Sequence, residues 1–170
     1  QQRISRSHQR CINLGLSKEM VYSQKILSGL ELKEVLDKNK VLIKTAEPFM
    51  KQLNDFVQSA NFLTILTDHE GIILQVFGND YILKEASNLK MVPGASMAED
   101  CIGTNAMGTV LVEQLPMQLV ADDHFIKSYH RWTCSCAPIR DPEGRIIGTL
   151  DLTGNTDFVH PHTLGMVVAA

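Results

Sequence analysis

Thr133-Cys134-Ser135-Cys136-Ala137-Pro138-Ile139-Arg140-Asp141-Pro142-Glu143-Gly144-Arg145-Ile146-Ile147-Gly148-Thr149-Leu150-Asp151-Leu152-Thr153 is the stretch on which the fold turns. Residues 133–139 read as a strand, 141–144 as a turn and 145–153 as a second strand, which together make a β-hairpin. Pro138 lies late in its strand, where a missing N–H matters least. The same grammar occurs earlier in the chain. Phe62-Leu63-Thr64-Ile65-Leu66-Thr67 is followed by the turn Asp68-His69-Glu70-Gly71 and then by Ile72-Ile73-Leu74-Gln75-Val76-Phe77. Two hairpins rule out an all-parallel sheet.

Helical patterns flank the hairpins. Leu42, Ala46, Phe49, Leu53, Phe56 and Ala60 recur at spacings of three and four, an amphipathic stripe that Pro48 either kinks or interrupts. Such a helix packs on its own domain or pairs between two subunits. Residues 1–16 carry little periodicity. Ser17 to Tyr22 can start a short helix that Ser28-Gly29 ends, and a helical pattern returns from Lys33. Between the hairpins lie a short helix at 81–89, a loop at 92–95 and a helix over 101–113. The glycines at 103 and 108 weaken that last helix. A short strand at 116–120 and a loop or short helix at 122–130 follow. A last helix spans 160–170.

The expected fold class is α+β: one antiparallel sheet, terminal helices on one face, and an irregular helical insert on the other. A pocket can form between sheet and insert, where the chain is least regular. The expected organisation is an N-terminal leader with helices at 1–60, a sensory domain at 61–158 and the start of a connecting helix at 159–170. The run Gly165-Met166-Val167-Val168-Ala169-Ala170 ends without a capping residue, so the chain is expected to be a piece of a longer protein.

Composition narrows the function. The chain has 170 residues, 21% of them charged, and a formal net charge of -3, so it lacks the basic footprint of a nucleic-acid binder. No apolar run approaches the roughly 20 residues of a membrane span. No signal peptide is apparent. The four cysteines, Cys11, Cys101, Cys134 and Cys136, are too few and too uneven for a disulfide framework, and a cytoplasmic setting is expected.

Several motifs together resemble one family. They are Glu99 with Gly103-Thr104-Asn105-Ala106-Met107-Gly108-Thr109, His124-Phe125, Trp132 to Ile139, Asp141-Pro142-Glu143-Gly144 and Gly148-Thr149-Leu150-Asp151-Leu152-Thr153-Gly154. This combination is similar to the GAF-type N-terminal sensory domain of transcription activators that work with the enhancer-dependent sigma factor, sigma-N. Within that family it is closest to regulators of acetoin catabolism and of dihydroxyacetone metabolism. Ile4-Ser5-Arg6-Ser7-His8-Gln9-Arg10-Cys11 with Gly15-Leu16 resembles their leader, although His8 stands where the family usually has Trp. The resemblance implies a ligand-sensing regulatory domain, not an enzyme, with no cofactor. It also implies an ATPase and a helix-turn-helix domain that this chain does not contain. No Gly-x-x-x-x-Gly-Lys-Ser/Thr phosphate loop occurs in the sequence.

The candidate ligand-binding residues are Glu99, Thr104, Asn105, His124, Phe125, Trp132 and Cys134. A helix start near Asp100 or Thr104 presents free N–H groups, and Gly103 lets a ligand approach the backbone. Thr104 and Asn105 add polar side chains, with a structural cap as the competing reading. Strand alternation puts Trp132, Cys134 and Cys136 on one face and Thr133, Ser135 and Ala137 on the other. The expected partners are a small metabolite such as acetoin and a second copy of the chain, paired through terminal helices. Neither nucleic acid nor membrane is expected to touch this piece. The output is expected to pass through the helix beginning near His160. Three alternatives stay open. Cys101, Cys134 and Cys136 could serve a redox or metal sensor, with Cys101 acidified by a helix start. His124, His130, Asp122 and Asp123 offer further metal ligands without completing a set. The same cysteines could act as nucleophiles in an enzyme resembling free methionine sulfoxide reductase, or the chain could be a plain dimerisation module.

Overall fold

The computed structural model describes residues 1–57, 61–158, 160 and 162–170. Among these, the strands are β1 (Leu63–Asp68), β2 (Ile73–Phe77), β3 (Met117–Val120), β4 (Trp132–Arg140) and β5 (Ile146–Asn155). The helices are α1 (Gln2–Asn13), α2 (Gly29–Lys38), α3 (Lys40–Phe56), α4 (Asp80–Asn88), α5 (Glu99–Ile102), α6 (Ala106–Glu113) and α7 (His162–Ala169). None of these helices is long and apolar enough to cross a membrane.

The strands form one sheet in the order β2-β1-β5-β4-β3, and every neighbouring pair is antiparallel. The two hairpin turns share an atomic plan. Asp68 Oδ1 accepts from the N–H groups of Glu70 and Ile72, and Asp141 Oδ1 accepts from those of Glu143 and Arg145. Gly71 and Gly144 close the turns at φ of 88° and 83°, in the region that favours glycine. Pro138 pairs with Thr149 of β5 and lies past the residues that β3 reaches, where β4 has no strand on its other side.

One face of the sheet carries α2, α3 and α7. Ala46, Met50 and Leu53 of α3 and Val167 of α7 pack on Leu66, Leu74, Ala137, Leu150 and Leu152. Helix α3 runs through Pro48, which is exposed along with Lys44, the residue whose carbonyl loses its donor; water can satisfy it. Of the stripe read in the sequence, Phe49 and Phe56 are solvent-exposed, and Ala60 lies outside the described residues.

The opposite face carries α4, α5, α6 and the loops around them, together with α1. The leader thus supplies a helix where little periodicity was read. Its buried side chains are Ser7 and Cys11, with Ile4 packed alongside, a stripe of small residues that a hydrophobicity count overlooks. The short helix expected at Ser17 to Gly29 is absent. Residues 24–27 run extended along the insert instead, with Gln24 N–H donating to Cys101 O at 3.0 Å and Leu27 N–H donating to Gly94 O at 2.8 Å. Ser28 stands at the N-cap position of α2, so Ser28-Gly29 opens a helix rather than closing one. The helix expected over 101–113 is two helices, because Gly103 at φ 82° ends α5. The last helix begins at His162, not His160.

Candidate ligand-binding site

The register of the sheet decides which residues face the insert. Cys134 lies opposite Thr153, and Cys136 opposite Asp151. Across β5, Thr153 and Asp151 oppose Leu63 and Ile65, while Cys134 opposes Leu119 on the other side. Directly opposed residues share a face. Trp132, Cys134, Cys136, Asp151 and Thr153 therefore look into the layer filled by Ile102, Phe125, Ile126 and Tyr129. All five are nearly or fully inaccessible.

A chain of hydrogen bonds crosses this wall. His124 Nδ1 lies 3.0 Å from Ala121 O, which can only accept, so Nδ1 carries the proton and Nε2 is left as an acceptor. Cys134 Sγ is 3.3 Å from that Nε2. Thr153 Oγ1 lies 3.1 Å from Cys134 Sγ and 2.5 Å from Asp151 Oδ2. Burial pushes His124 down to about 4, so it is neutral near pH 7. Burial raises Cys134, and the nearby Asp151 raises it further. Burial also lifts the Asp151 carboxyl to about 7, against the opposing pull of the Thr153 hydroxyl. With Asp151 protonated, every bond points one way: Asp151 O–H to Thr153, Thr153 O–H to Cys134, Cys134 S–H to His124, and His124 N–H to Ala121 O.

Three polar atoms on or beside this wall find no partner among the described residues. They are Asp151 Oδ1, Tyr129 OH and Trp132 Nε1. The Tyr129 ring stands edge-on to His124, with centroids 6.1 Å apart. A buried polar atom without a hydrogen bond costs about 1–3 kcal/mol, so each of the three calls for a cause.

The expected site residues fall into separate groups. His124, Trp132 and Cys134 belong to this wall. Glu99 and Thr104 instead hold α1: Glu99 accepts from Ser7 Oγ at 2.5 Å and from Arg10 at 2.8 and 2.9 Å, and Thr104 Oγ1 is 2.7 Å from Ser7 Oγ. Arg6 adds an ion pair to Glu113 at 2.7 Å. Asn105 caps α6 by accepting from Gly108 N–H at 3.0 Å, and its amide donates to Met97 O and Gly103 O. Phe125 covers Gly103, where an added Cβ would meet its ring at 2.7 Å. The closeness that Gly103 allows is used by Phe125. Asp151, Thr153, Tyr129, Ser7 and Arg10 were not singled out from sequence. Strand alternation across the second hairpin would have brought Asp151 and Thr153 to the face of Cys134.

Sheet and insert meet as a packed layer. An apolar cleft of about 220 Å³ lies on the opposite face, lined by Leu42, Phe49, Pro138, Leu150 and Val168 among others. All four cysteines are free thiols. Burial raises Cys101 rather than lowering it, and its helix, α5, has only four residues. Burial holds Cys134 and Cys136 well above the ordinary thiol range, which disfavours the nucleophilic thiolate. Among the described residues, no three His, Cys, Asp or Glu side chains gather as a metal-binding group.

Known proteins resemble this chain in sequence and in fold. The chain is 40% identical over 98% of its length to the signal-transduction and transcriptional-control protein of Clostridium beijerinckii, covering 26% of that protein. It is 30% identical over 98% of its length to the acetoin dehydrogenase operon transcriptional activator AcoR of Bacillus subtilis, covering 28% of that protein. The chain thus spans about a quarter of the length of these curated relatives. The crystal structure of the E. coli DhaR(N)-DhaL complex contains a chain that superposes with a TM-score of 0.93 at 21% identity, over 99% of this chain and 58% of that one, a likeness of fold. The expected kinship with acetoin and dihydroxyacetone regulators is found: besides AcoR, the PTS-dependent dihydroxyacetone kinase operon regulatory protein of E. coli is 23% identical over 88% of this chain, which covers 23% of that protein. The relatives are named as regulators, as fits a regulatory module and not an enzyme. The model of the MimR N-terminal domain matches residues 16–170, and the chain belongs to that family.

Proposed function

We propose that this chain is the metabolite-sensing domain of a cytoplasmic, sigma-N-dependent transcription activator, of GAF type. Its ligand is a small hydroxy or carbonyl compound such as acetoin. The observation that carries the reading is the trio of buried, unpartnered polar atoms on Asp151, Tyr129 and Trp132 beside His124 and Cys134. The layer is closed in this state, so a guest must part the insert from the sheet to enter, and its bonds to these atoms recover energy that the closed wall leaves unclaimed. Trp132, Cys134 and His124 form the wall, and Phe125 closes it over Gly103. Asn105 fixes the start of α6. Glu99 and Thr104 anchor α1, so α1 registers any shift of the insert. Helix α7 carries the output to the rest of the protein. A ligand acts only through better binding to one state than to another.

The test is a thermal-shift titration with acetoin and related compounds. Saturation at about 100 times Kd stabilises by about 2.7 kcal/mol, or a rise of about 5–10 °C for a chain of this size. The rise is expected to vanish in Trp132→Phe, which removes only the donor and some ring area. A full rise in that variant, or none in the native chain, contradicts the reading.

The apolar cleft favours a second part of the proposal, a homodimer. Phe49 and Phe56 of α3 and Val168 of α7 are 43%, 75% and 54% exposed along one side. Contiguous apolar surface of this kind marks an interface. Sedimentation of Phe56→Glu is expected to show monomers where the native chain gives dimers; a native chain that sediments as a monomer removes this part.

A further inference from the structure

Strand β3 pairs with β4 alone, so one of its sides faces away from the sheet. Asp123 shows which backbone groups lie on that side. The Val120 N–H donates to Asp123 Oδ2 at 2.9 Å, so it points away from β4. Alternate residues of an antiparallel strand turn their N–H and C=O groups the same way. Those of Gln118 therefore lie on the outer side, and they take no partner among the described residues. The Gln118 side chain is engaged elsewhere, donating to Ser135 Oγ at 2.9 Å and His160 O at 3.3 Å.

A groove of about 630 Å³ lies beside this edge, lined by Arg3, Ile4 and Arg6 of α1, Pro116 and Gln118 at β3, and Leu164 of α7. Helix α1 belongs to the insert face and α7 to the opposite face, so the two form walls and the β3 edge forms the floor. The groove is positive. Arg3, Arg6 and Arg10 of α1 meet two carboxylates, Glu99 and Glu113, which leaves one positive charge over. Arg10 holds Glu99 and Glu113 Oε1, and Arg6 takes Glu113 Oε2. Arg3 Nε stands 3.9 Å from that same oxygen, past hydrogen-bonding reach. Arg3 and Arg6 are both about half exposed, and among the described residues no Asp or Glu lines the groove.

We propose that the β3 edge is a docking site for an extended acidic segment of another protein, which adds as an outer strand and lays carboxylates against Arg3 and Arg6. This inference stands apart from the ligand reading. Strand addition draws affinity from main-chain hydrogen bonds and specificity from alternate side chains. The exchange centres on Gln118, since Pro116 has no N–H and that of Val120 is taken. Side chains of the added strand on the α1 side meet the arginines, and those on the α7 side meet Leu164. A second copy of this chain suits the groove poorly, because its β3 edge brings its own Arg3 and Arg6 and like charges meet.

The experiment titrates the purified chain with a short labelled peptide of alternating glutamate and valine, read by fluorescence anisotropy, beside the same peptide with lysine for glutamate. The acidic peptide is expected to bind at least about tenfold more tightly than the basic one, with affinity falling as salt rises. Gln118→Pro removes the free edge N–H and spares the bonds to β4. It is expected to lose at least about tenfold in affinity with its circular dichroism unchanged. Arg3→Gln with Arg6→Gln leaves Arg10 on both carboxylates and is expected to lose about fivefold and flatten the salt dependence. Hydrogen exchange of the native chain is expected to slow at the Gln118 amide when the acidic peptide is bound. Equal binding of the two peptides, or no saturable binding of the acidic one, overturns the proposal. So does a Gln118 amide whose exchange is unchanged at saturation, even where Gln118→Pro fails to fold. Undiminished binding by a folded Gln118→Pro chain assigns the contact to surface charge and overturns strand addition.

Discussion

His124 and Asp151 stand at the two ends of one hydrogen-bond chain, and their titrations oppose each other. Asp151 is raised in the folded state to about 7, so its contribution to stability is full below the unfolded carboxylate value and is lost as pH rises through about 7. His124 is depressed to about 4, so stability falls as pH drops from the unfolded value near 6.5 through about 4. Between these limits the two slopes cancel. Urea unfolding of the native chain is expected to show little pH dependence from this pair between about pH 4.5 and 6. Asp151→Asn should expose a rise of stability with pH across that window. His124→Gln should expose a fall. Each amounts to about 2 kcal/mol across the window, at about 1.4 kcal/mol per pH unit. Identical profiles in both variants would show that the chain does not hold these groups neutral. The partners of the wall were partly legible. Trp132, Cys134 and His124 stood out as residue types with chemistry. Asp151 stood only within the Gly148–Gly154 motif, because its burial comes from its central strand and from the insert folded over it.

At the level of elements, the break between α5 and α6 organises the insert. Gly103 leaves the helical path at φ 82°, and Asn105 restarts it with one accepted and two donated bonds. Asn105→Ala removes the cap and strips Met97 O and Gly103 O of a buried donor. Loss of a cap costs about 1 kcal/mol and each orphaned carbonyl about as much again, so a drop of about 2–4 kcal/mol is expected in urea unfolding. A change below about 0.5 kcal/mol would show that the insert does not depend on this cap. The hairpins were fully readable, since turn chemistry and alternation agree there. Helix α1 was not: its holding contacts are Ser7, Arg6 and Arg10 against Glu99 and Glu113, about ninety to a hundred residues away in sequence. No local period carries such pairings. Arg10→Met leaves Glu99 buried with Ser7 as its remaining side-chain donor, and faster amide exchange through α1 is the expected result. Unchanged exchange would assign the anchoring of α1 to its apolar contacts.

The whole molecule is a sheet with two unlike coats. The α2–α3–α7 coat is apolar and partly exposed, at Phe49, Phe56 and Val168. The α1 and insert coat is closed and holds the unpaired polar atoms. In the proposed reading each face has its own task, ligand binding on one and self-association on the other. The layering was legible from two hairpins and flanking helical patterns. Which coat carries the unpartnered polar atoms depends on side-chain pairing that only the assembled layers reveal. Trp132 is the chain's single tryptophan, so its indole N–H gives one resolved signal. The most direct measurement follows that signal by NMR as acetoin or dihydroxyacetone is added. A saturable shift of the indole resonance, with Tyr129 and Asp151 moving in step, is the expected result. A stationary indole, with shifts confined to Phe49, Leu150 and Val168 of the opposite cleft, would contradict the account.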